Sequence, residues 1–98
     1  MPKKIDFLIA KISAFAKPLE MLDNKTKSMQ VPTELAKNFN MLLEEIAAES
    51  PTAAPELPKP IDLYEGIYQT GSTDVSYVGL QIIVGQVVGV LGVLKASQ

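Results

Sequence analysis

The chain has 98 residues, the length of a single domain, with 47% hydrophobic and 20% charged residues and a formal net charge of −2. It contains no arginine, histidine, cysteine or tryptophan. These absences exclude disulfide scaffolds, thiolate or imidazole metal sites, cysteine nucleophiles and a histidine base. The sequence therefore predicts no catalytic residues, no metal site, no cofactor and no small-molecule substrate, and we expect a protein that is not an enzyme.

Charge is distributed unevenly along the chain. Residues 1–27 hold six lysines against three acids, whereas residues 34–74 hold two lysines against eight acids. Nucleic-acid binders usually present a basic face rich in arginine, because the guanidinium group matches phosphate geometry. Here the basic segment has only lysines, interleaved with acids, so we expect no nucleic-acid partner. The two segments could instead contact each other, within one chain or between copies.

The first predicted element is an amphipathic helix. Apolar residues recur at helical spacing on one face, at Ile5, Leu8, Ile9, Ile12, Ala16 and Leu19. A second, thinner line of Phe7, Ala14 and Met21 predicts contact with a second partner. Pro18 predicts either a kink or the start of a new helical piece. A polar loop is expected to follow over residues 23–31.

The second predicted helix begins at Thr33, a suitable N-cap, and ends at Ser50, because the residue before Pro51 is pushed out of the helical region. Glu34 places negative charge in its first turn. Its apolar stripe consists of Leu35, Phe39, Leu42, Leu43 and Ile46. Two such helices joined by a short loop predict an antiparallel helical hairpin over residues 1–50.

Proline-rich sequence follows the hairpin. Residues 51–60 include four prolines, which predicts a stiff, extended spacer rather than an SH3 ligand. For residues 61–74 we predict a short helix and a turn. Leu63, Tyr64, Ile67 and Tyr68 supply that helix with apolar pairs, and Gly71 closes it.

Residues 75–94 form a stretch of 20 residues without a charge. As a helix this stretch would be about 30 Å long, which matches the hydrocarbon core of a bilayer. Tyr77 would then lie near one interface and Lys95 at the other. Glycines on one face allow another backbone to approach closely, and a glutamine can hydrogen-bond across the contact. The candidate interface residues are Gln81, Gly85, Gly89 and Gly92.

Two alternatives fit the same stretch. It could be a helix buried in a soluble oligomer, where copies hide each other's apolar surface. It could also be a β-hairpin, since nine of the 20 residues are valine or isoleucine and Gly85-Gln86 fits a type II′ turn.

Together these patterns predict a mainly α fold made of an N-terminal helical hairpin, a proline-rich spacer and a hydrophobic C-terminal helix, with an α+β fold as the alternative. The expected function is a membrane-associated structural subunit that self-associates as a homo-oligomer. The alternative is a cytoplasmic adaptor that binds a protein partner, in which residues 75–94 complete the core or a homo-oligomer interface. Both functions follow from one requirement: an uncharged stretch of this length has to be covered by lipid or by protein.

Overall fold

The computed structural model describes residues 3–63 and 72–97. Its fold is mainly helical, as predicted, with one two-stranded sheet in the described part of the chain. The elements in chain order are α1 (Lys4–Glu20), α2 (Asn24–Lys27), β1 (Gln30–Pro32), α3 (Thr33–Glu49), a 3-10 helix (Ala54–Glu56), β2 (Ser72–Ser76) and α4 (Tyr77–Ala96). The short helix predicted around Tyr64 and Tyr68 lies outside the described residues.

Helix α1 continues through Pro18 to Glu20, so the proline does not begin a second piece. A proline this close to the C-terminal end removes only one intrahelical hydrogen bond, and its own carbonyl still accepts one from the Met21 amide. The predicted apolar face is buried at Ile5, Leu8, Ile12 and Leu19. The second line, with Phe7 and Met21, faces solvent in the single chain.

Helix α3 begins at Thr33, but its N-cap is Pro32 rather than the predicted Thr33. Pro32 closes β1 in an extended conformation, with φ of −62° and ψ of 150°, so the helix begins directly after it and no side chain caps it. The helix ends at Glu49 as predicted, and the Ser50 amide donates to the Ile46 carbonyl at 2.9 Å. Its buried residues are Ala36, Phe39, Leu43 and Ile46.

Two ion pairs show how α1 and α3 are oriented relative to each other. Lys4 Nζ lies 3.1 Å from Glu49 Oε1, and Lys11, about two helical turns further along α1, pairs with Glu45. The partner numbers fall as the α1 numbers rise, so the two helices run antiparallel. Both pairs are exposed and add little stability. Helix α1 packs more extensively against α4 than against α3.

The C-terminal stretch is a helix, so the β-hairpin alternative is wrong. The Ser76 hydroxyl accepts a hydrogen bond from the Gly79 amide at 3.0 Å and caps α4. The core residues of α4 lie on one side of the helix. They are Leu80 and the residues four, seven and eleven positions after it, Val84, Val87 and Leu91. A helix satisfies its own backbone groups, whereas an isolated hairpin is marginal in water, and this stripe adds burial in the core.

The small sheet was not predicted. Strand β1 lies in the expected loop at 23–31, and β2 replaces most of the expected turn at 71–74. The strands pair antiparallel with a bulge, and the buried Thr73 hydroxyl donates to the Val31 carbonyl at 3.0 Å. These partners are about forty residues apart in sequence, so no local pattern indicates that they meet.

The predicted extended spacer is wrong over its first half. Residues 51–53 form a turn and Ala54–Glu56 a 3-10 helix, with Ala53 buried. The Asn40 side chain holds the segment that follows, donating to the Ile61 carbonyl at 2.9 Å and accepting from the Ile61 amide at 2.8 Å. Apolar residues between the prolines therefore fold this segment back onto α3.

Candidate interface on the C-terminal helix

One side of α4 is turned away from the core, and we call it the outer face. It consists of Val78, Ile82, Gly85, Gln86, Gly89, Gly92, Val93 and Ala96, all of which are exposed. Ile82 is 61% exposed and Val93 69%. No member of the outer face is charged, over a helix about 30 Å long.

This pattern differs from that of an ordinary surface helix. Such a helix is apolar toward the core and polar toward water. Helix α4 is apolar on both sides, and Gln86 is the one polar side chain of its outer face. A helix that is hydrophobic all round is normally covered, by more protein or by lipid. The outer face therefore has the character of a surface that requires a partner.

A Cβ atom added to each glycine of α4 shows how much room a side chain would have at that position. At Gly85, Gly89 and Gly92 the added atom meets nothing within 4 Å in the described part of the chain. At Gly79 it meets Val75 Cγ1 at 3.3 Å. Glycine inside a helix costs about 1 kcal/mol relative to alanine. The packing of the described residues gives no steric reason for three such residues, whereas a closely approaching partner would.

Gln81 shares its surroundings with Gly85 but not with Gly89 or Gly92. It is half-buried in a cleft between α1 and α4, beside Ala16, Leu19 and Gly85. At 100° per residue, Gln81 is about 40° round the helix from Gly85 and about 80° from Gly89. The predicted four-residue set thus extends from the cleft, which Gln81 and Gly85 line, onto the outer face at Gly89 and Gly92, and its role as an interface stays a prediction.

A groove runs along the C-terminal half of α4. It has a volume of about 740 Å³ and lies between that helix and residues 52–58. Ala53 and Pro58 form one wall, and Gly89 and Val93 form the other. Glu56 also lines it. Because the prediction placed 52–58 in an extended spacer, no sequence pattern pointed to this groove.

The ionisable side chains discussed next lie away from the outer face and take part in an ion pair and a helix cap. Within 3–63 and 72–97, no group of three or more acidic residues is placed to hold a metal ion. A hydrogen bond with the Lys95 side chain, followed by one from the Lys3 amide, lowers the pKa of Asp6. Hydrogen bonds with Thr26 lower the pKa of Asp23, which caps α2. The first shift arises from the contact between α1 and α4, and the second from a helix cap.

Comparison with known proteins gives no further guide. No protein family matches this chain, and no curated protein or solved structure shows significant similarity to it. Function must therefore be inferred from the chain's own surfaces, and the outer face with its adjoining groove is the most distinctive of those described.

Proposed function

We propose that this protein is a non-enzymatic assembly subunit that self-associates through the outer face of α4. The observation that carries the proposal is the open space over Gly85, Gly89 and Gly92. These glycines destabilise the helix without relieving a clash among the described residues. A partner that packs against the helix backbone accounts for them, because only glycine allows the closest approach.

Burial of the apolar side chains supplies the driving force. Val78, Ile82 and Val93 are large hydrophobic residues left exposed on the outer face. Full burial of an aliphatic side chain of this size gains about 1.5–3 kcal/mol, and these side chains, 43–69% exposed, would each gain about half of that. No charge has to be desolvated, and depletion of charge is typical of the centre of protein interfaces. A second copy of the chain brings the same uncharged surface and therefore meets this requirement.

The packing of α4 favours assembly by the folded chain in water. Leu80 and Leu91 are fully buried against residues of α1 and α3. Moving α4 into a bilayer would separate these residues from the core and expose their former neighbours. Self-association through the outer face requires no such rearrangement, because the inner and outer faces are used at the same time.

Membrane association is the second candidate. Helix α4 has 20 residues and is long and apolar enough to span a bilayer. Only 22% of its most apolar 18-residue stretch is buried. A core helix of a soluble protein can meet the same criteria of length and composition. The two candidates differ in whether α4 stays on α1, and that contact can be controlled experimentally.

The self-association proposal is tested by substitutions on the outer face. Gly89→Leu and Ile82→Lys should each shift the chain from oligomer to monomer in size-exclusion chromatography with light scattering. Met41→Lys is the matched control, because Met41 is 66% exposed on α3. Leucine at position 89 meets no neighbouring atom at its Cβ, so the circular dichroism spectrum should be unchanged. If both variants keep the oligomer of the unsubstituted chain, the outer face is not the interface.

The membrane candidate is tested by tethering α4 to α1. Ala16 and Val88 line one cleft between α1 and α4, and the chain has no native cysteine, so the double variant Ala16→Cys, Val88→Cys is the pair to oxidise as a tether between the two helices. A spanning α4 should allow the reduced variant, but not the oxidised one, to float with anionic phospholipid vesicles. Absence of flotation in both states would exclude the membrane candidate, whereas oligomerisation of the oxidised variant would support the soluble one.

A further inference from the structure

We infer that the folded chain docks on the surface of an anionic lipid bilayer through the solvent side of α1. This surface, which we call the basic face, consists of Lys3, Lys4, Phe7, Ala10, Lys11, Ala14, Lys17 and Met21, all of which are exposed. It contains the second apolar line of α1, which lies outside the core. The inference is independent of the proposed function, because the outer face of α4 takes no part in it.

Lysine is the only charged residue type on the basic face. Helix α1 also has two acids, and both lie on the side toward α4. Asp6 pairs with Lys95, and Glu20 lines the cleft between the two helices. At 100° per residue, the members of the basic face from Lys4 to Met21 lie within an arc of about 140° that contains neither acid. A helix surface with charge of one sign attracts a surface of the opposite sign.

The four lysines differ in their contacts. Neither Lys3 nor Lys17 forms an ion pair within the described residues. Lys4 and Lys11 each pair with a glutamate of α3, which lowers the net charge of the region. These exposed pairs are weak, and an ammonium group has three N–H donors, so both lysines can still contact a lipid phosphate. We therefore expect Lys3 and Lys17 to supply most of the attraction.

Two large apolar side chains project from the basic face. Phe7 is 56% exposed and Met21 80%. They lie about 21 Å apart along the helix, and Ala10 and Ala14 keep the surface between them low. With α1 parallel to the bilayer, both side chains reach the boundary between headgroups and acyl chains. The long lysine stems leave their ammonium groups at the level of the phosphates.

The shape of the basic face favours lipid over an acidic protein. A protein partner is usually anchored by large side chains in pockets near the centre of the interface. Here the centre is formed by alanines, and no residue of the basic face lines the groove or the cleft described above. A bilayer surface requires no such pocket. Lysines combined with an aromatic residue on one helix are typical of helices that lie in a membrane interface.

Flotation of the full chain with vesicles tests the inference. The chain should bind phosphatidylcholine vesicles that contain about 30% phosphatidylserine in about 0.05 M salt, but not in about 0.5 M salt, which screens exposed charges. It should not bind phosphatidylcholine alone. Lys17→Glu should weaken binding at least about tenfold, because each lysine near an anionic surface gains about fivefold and the glutamate adds repulsion. Lys59→Glu makes the same change at an exposed residue outside the basic face and should have an effect of about twofold or less.

A fluorescent probe shows which surface meets the lipid. The chain has no tryptophan, so Phe7→Trp places a single indole on the basic face. Its emission should shift to shorter wavelengths when anionic vesicles are added, since the ring leaves water. Met41→Trp, at an exposed residue of α3, is the matched control and should not shift. A shift at residue 41 with none at residue 7 would overturn the inference.

The remaining outcomes separate docking through α1 from the other candidates. Binding that persists in about 0.5 M salt and in Lys17→Glu would overturn the inference and indicate insertion of α4. Absence of binding to anionic vesicles at low salt would also overturn it, and lysine-dependent binding of polyglutamate would then identify an acidic protein as the partner. Lys17→Glu should keep the oligomer of the unsubstituted chain by light scattering, whereas Gly89→Leu should lose the oligomer and still bind vesicles.

Discussion

Lys95 Nζ lies 2.9 Å from Asp6 Oδ1, so an ion pair joins the last turn of α4 to the first turn of α1. The contact spans 89 positions of the sequence and shows that α4 runs antiparallel to α1. In this arrangement Leu80 and Leu91 face the core and Ile82 faces solvent. The orientation of α4 on α1 thus determines which apolar residues are left for a partner.

Acid should weaken the tie between α1 and α4. The pKa of Asp6 is lowered in the folded chain, first by its side-chain hydrogen bond with Lys95. Its contribution to stability is therefore present above about pH 4, the ordinary value, and is lost as the pH falls through the lowered value. Asp6→Asn should reduce the melting temperature near pH 7, and the difference should shrink as the pH falls below about 4 and through the lowered value, because the carboxyl becomes protonated.

An NMR titration of the Asp6 carboxyl carbon tests the cause of that shift. Lys95→Gln should raise the pKa of Asp6 toward its ordinary value, since the first cause of the shift is removed. Part of the shift should remain, because the Lys3 amide still donates to Asp6 at 3.0 Å. An unchanged pKa in Lys95→Gln would show that the two ends are not joined in solution.

The inner and outer faces of α4 should respond differently to truncation. Leu91→Ala should lower the free energy of unfolding by about 2–5 kcal/mol, because a fully buried leucine leaves a cavity. Val93→Ala, two residues further on and 69% exposed, should change it by less than about 0.5 kcal/mol in the monomer. Urea denaturation at low protein concentration measures both. Equal effects would mean that α4 does not pack in the core as described.

Glycine replacement should separate stability from assembly. Gly89→Ala should stabilise the monomer by about 0.5–1 kcal/mol, since alanine favours the helix and the new Cβ meets open space. The same variant should weaken the oligomer. Gly79→Ala is the comparison, because its Cβ would lie 3.3 Å from Val75 Cγ1 and the gain should be smaller. A Gly89→Ala chain that is both less stable and equally oligomeric would contradict this interpretation.

The Asn40 side chain should contribute to holding residues 57–63 on α3. Asn40→Ala removes both hydrogen bonds to Ile61 and should cost about 1–3 kcal/mol of unfolding free energy. Asn38 is exposed on the same helix and provides the matched control, with little loss expected for Asn38→Ala. Thermal unfolding followed by circular dichroism distinguishes them, and similar melting temperatures would exclude this role for Asn40.

Helical periodicity predicted the elements that depend on local sequence. The spacing of Ile5, Leu8 and Ile12 identified the buried side of α1, and Phe39 and Ile46 did so for α3. For α4 the 3.6-residue repeat was harder to recognise, because apolar residues occur on all sides. The sequence indicated its glycine-bearing side but not the inner stripe of Leu80, Val84, Val87 and Leu91, which the packing against α1 and α3 defines.

Contacts between distant segments could not be predicted in this way. Thr73 bonds to Val31 across 42 positions of sequence, and Asn40 bonds to Ile61 across 21. The sequence around Thr73 or Asn40 does not indicate which distant residue each one contacts. The groove depends on such a contact, because Ala53 lines it only after the chain folds back onto α3. The glycines of the candidate interface were visible in the sequence, whereas the position of Gln81 and Gly85 beside α1 depends on how the two helices pack.

The most direct measurement is sedimentation equilibrium of the full, unsubstituted chain in buffer without detergent, over a range of protein concentrations. Self-association through an exposed uncharged helix face predicts a mass that rises with concentration above that of one chain, 10.6 kDa. A mass of one chain at every concentration up to the millimolar range would show that the outer face of α4 remains uncovered in water, contrary to the proposed function.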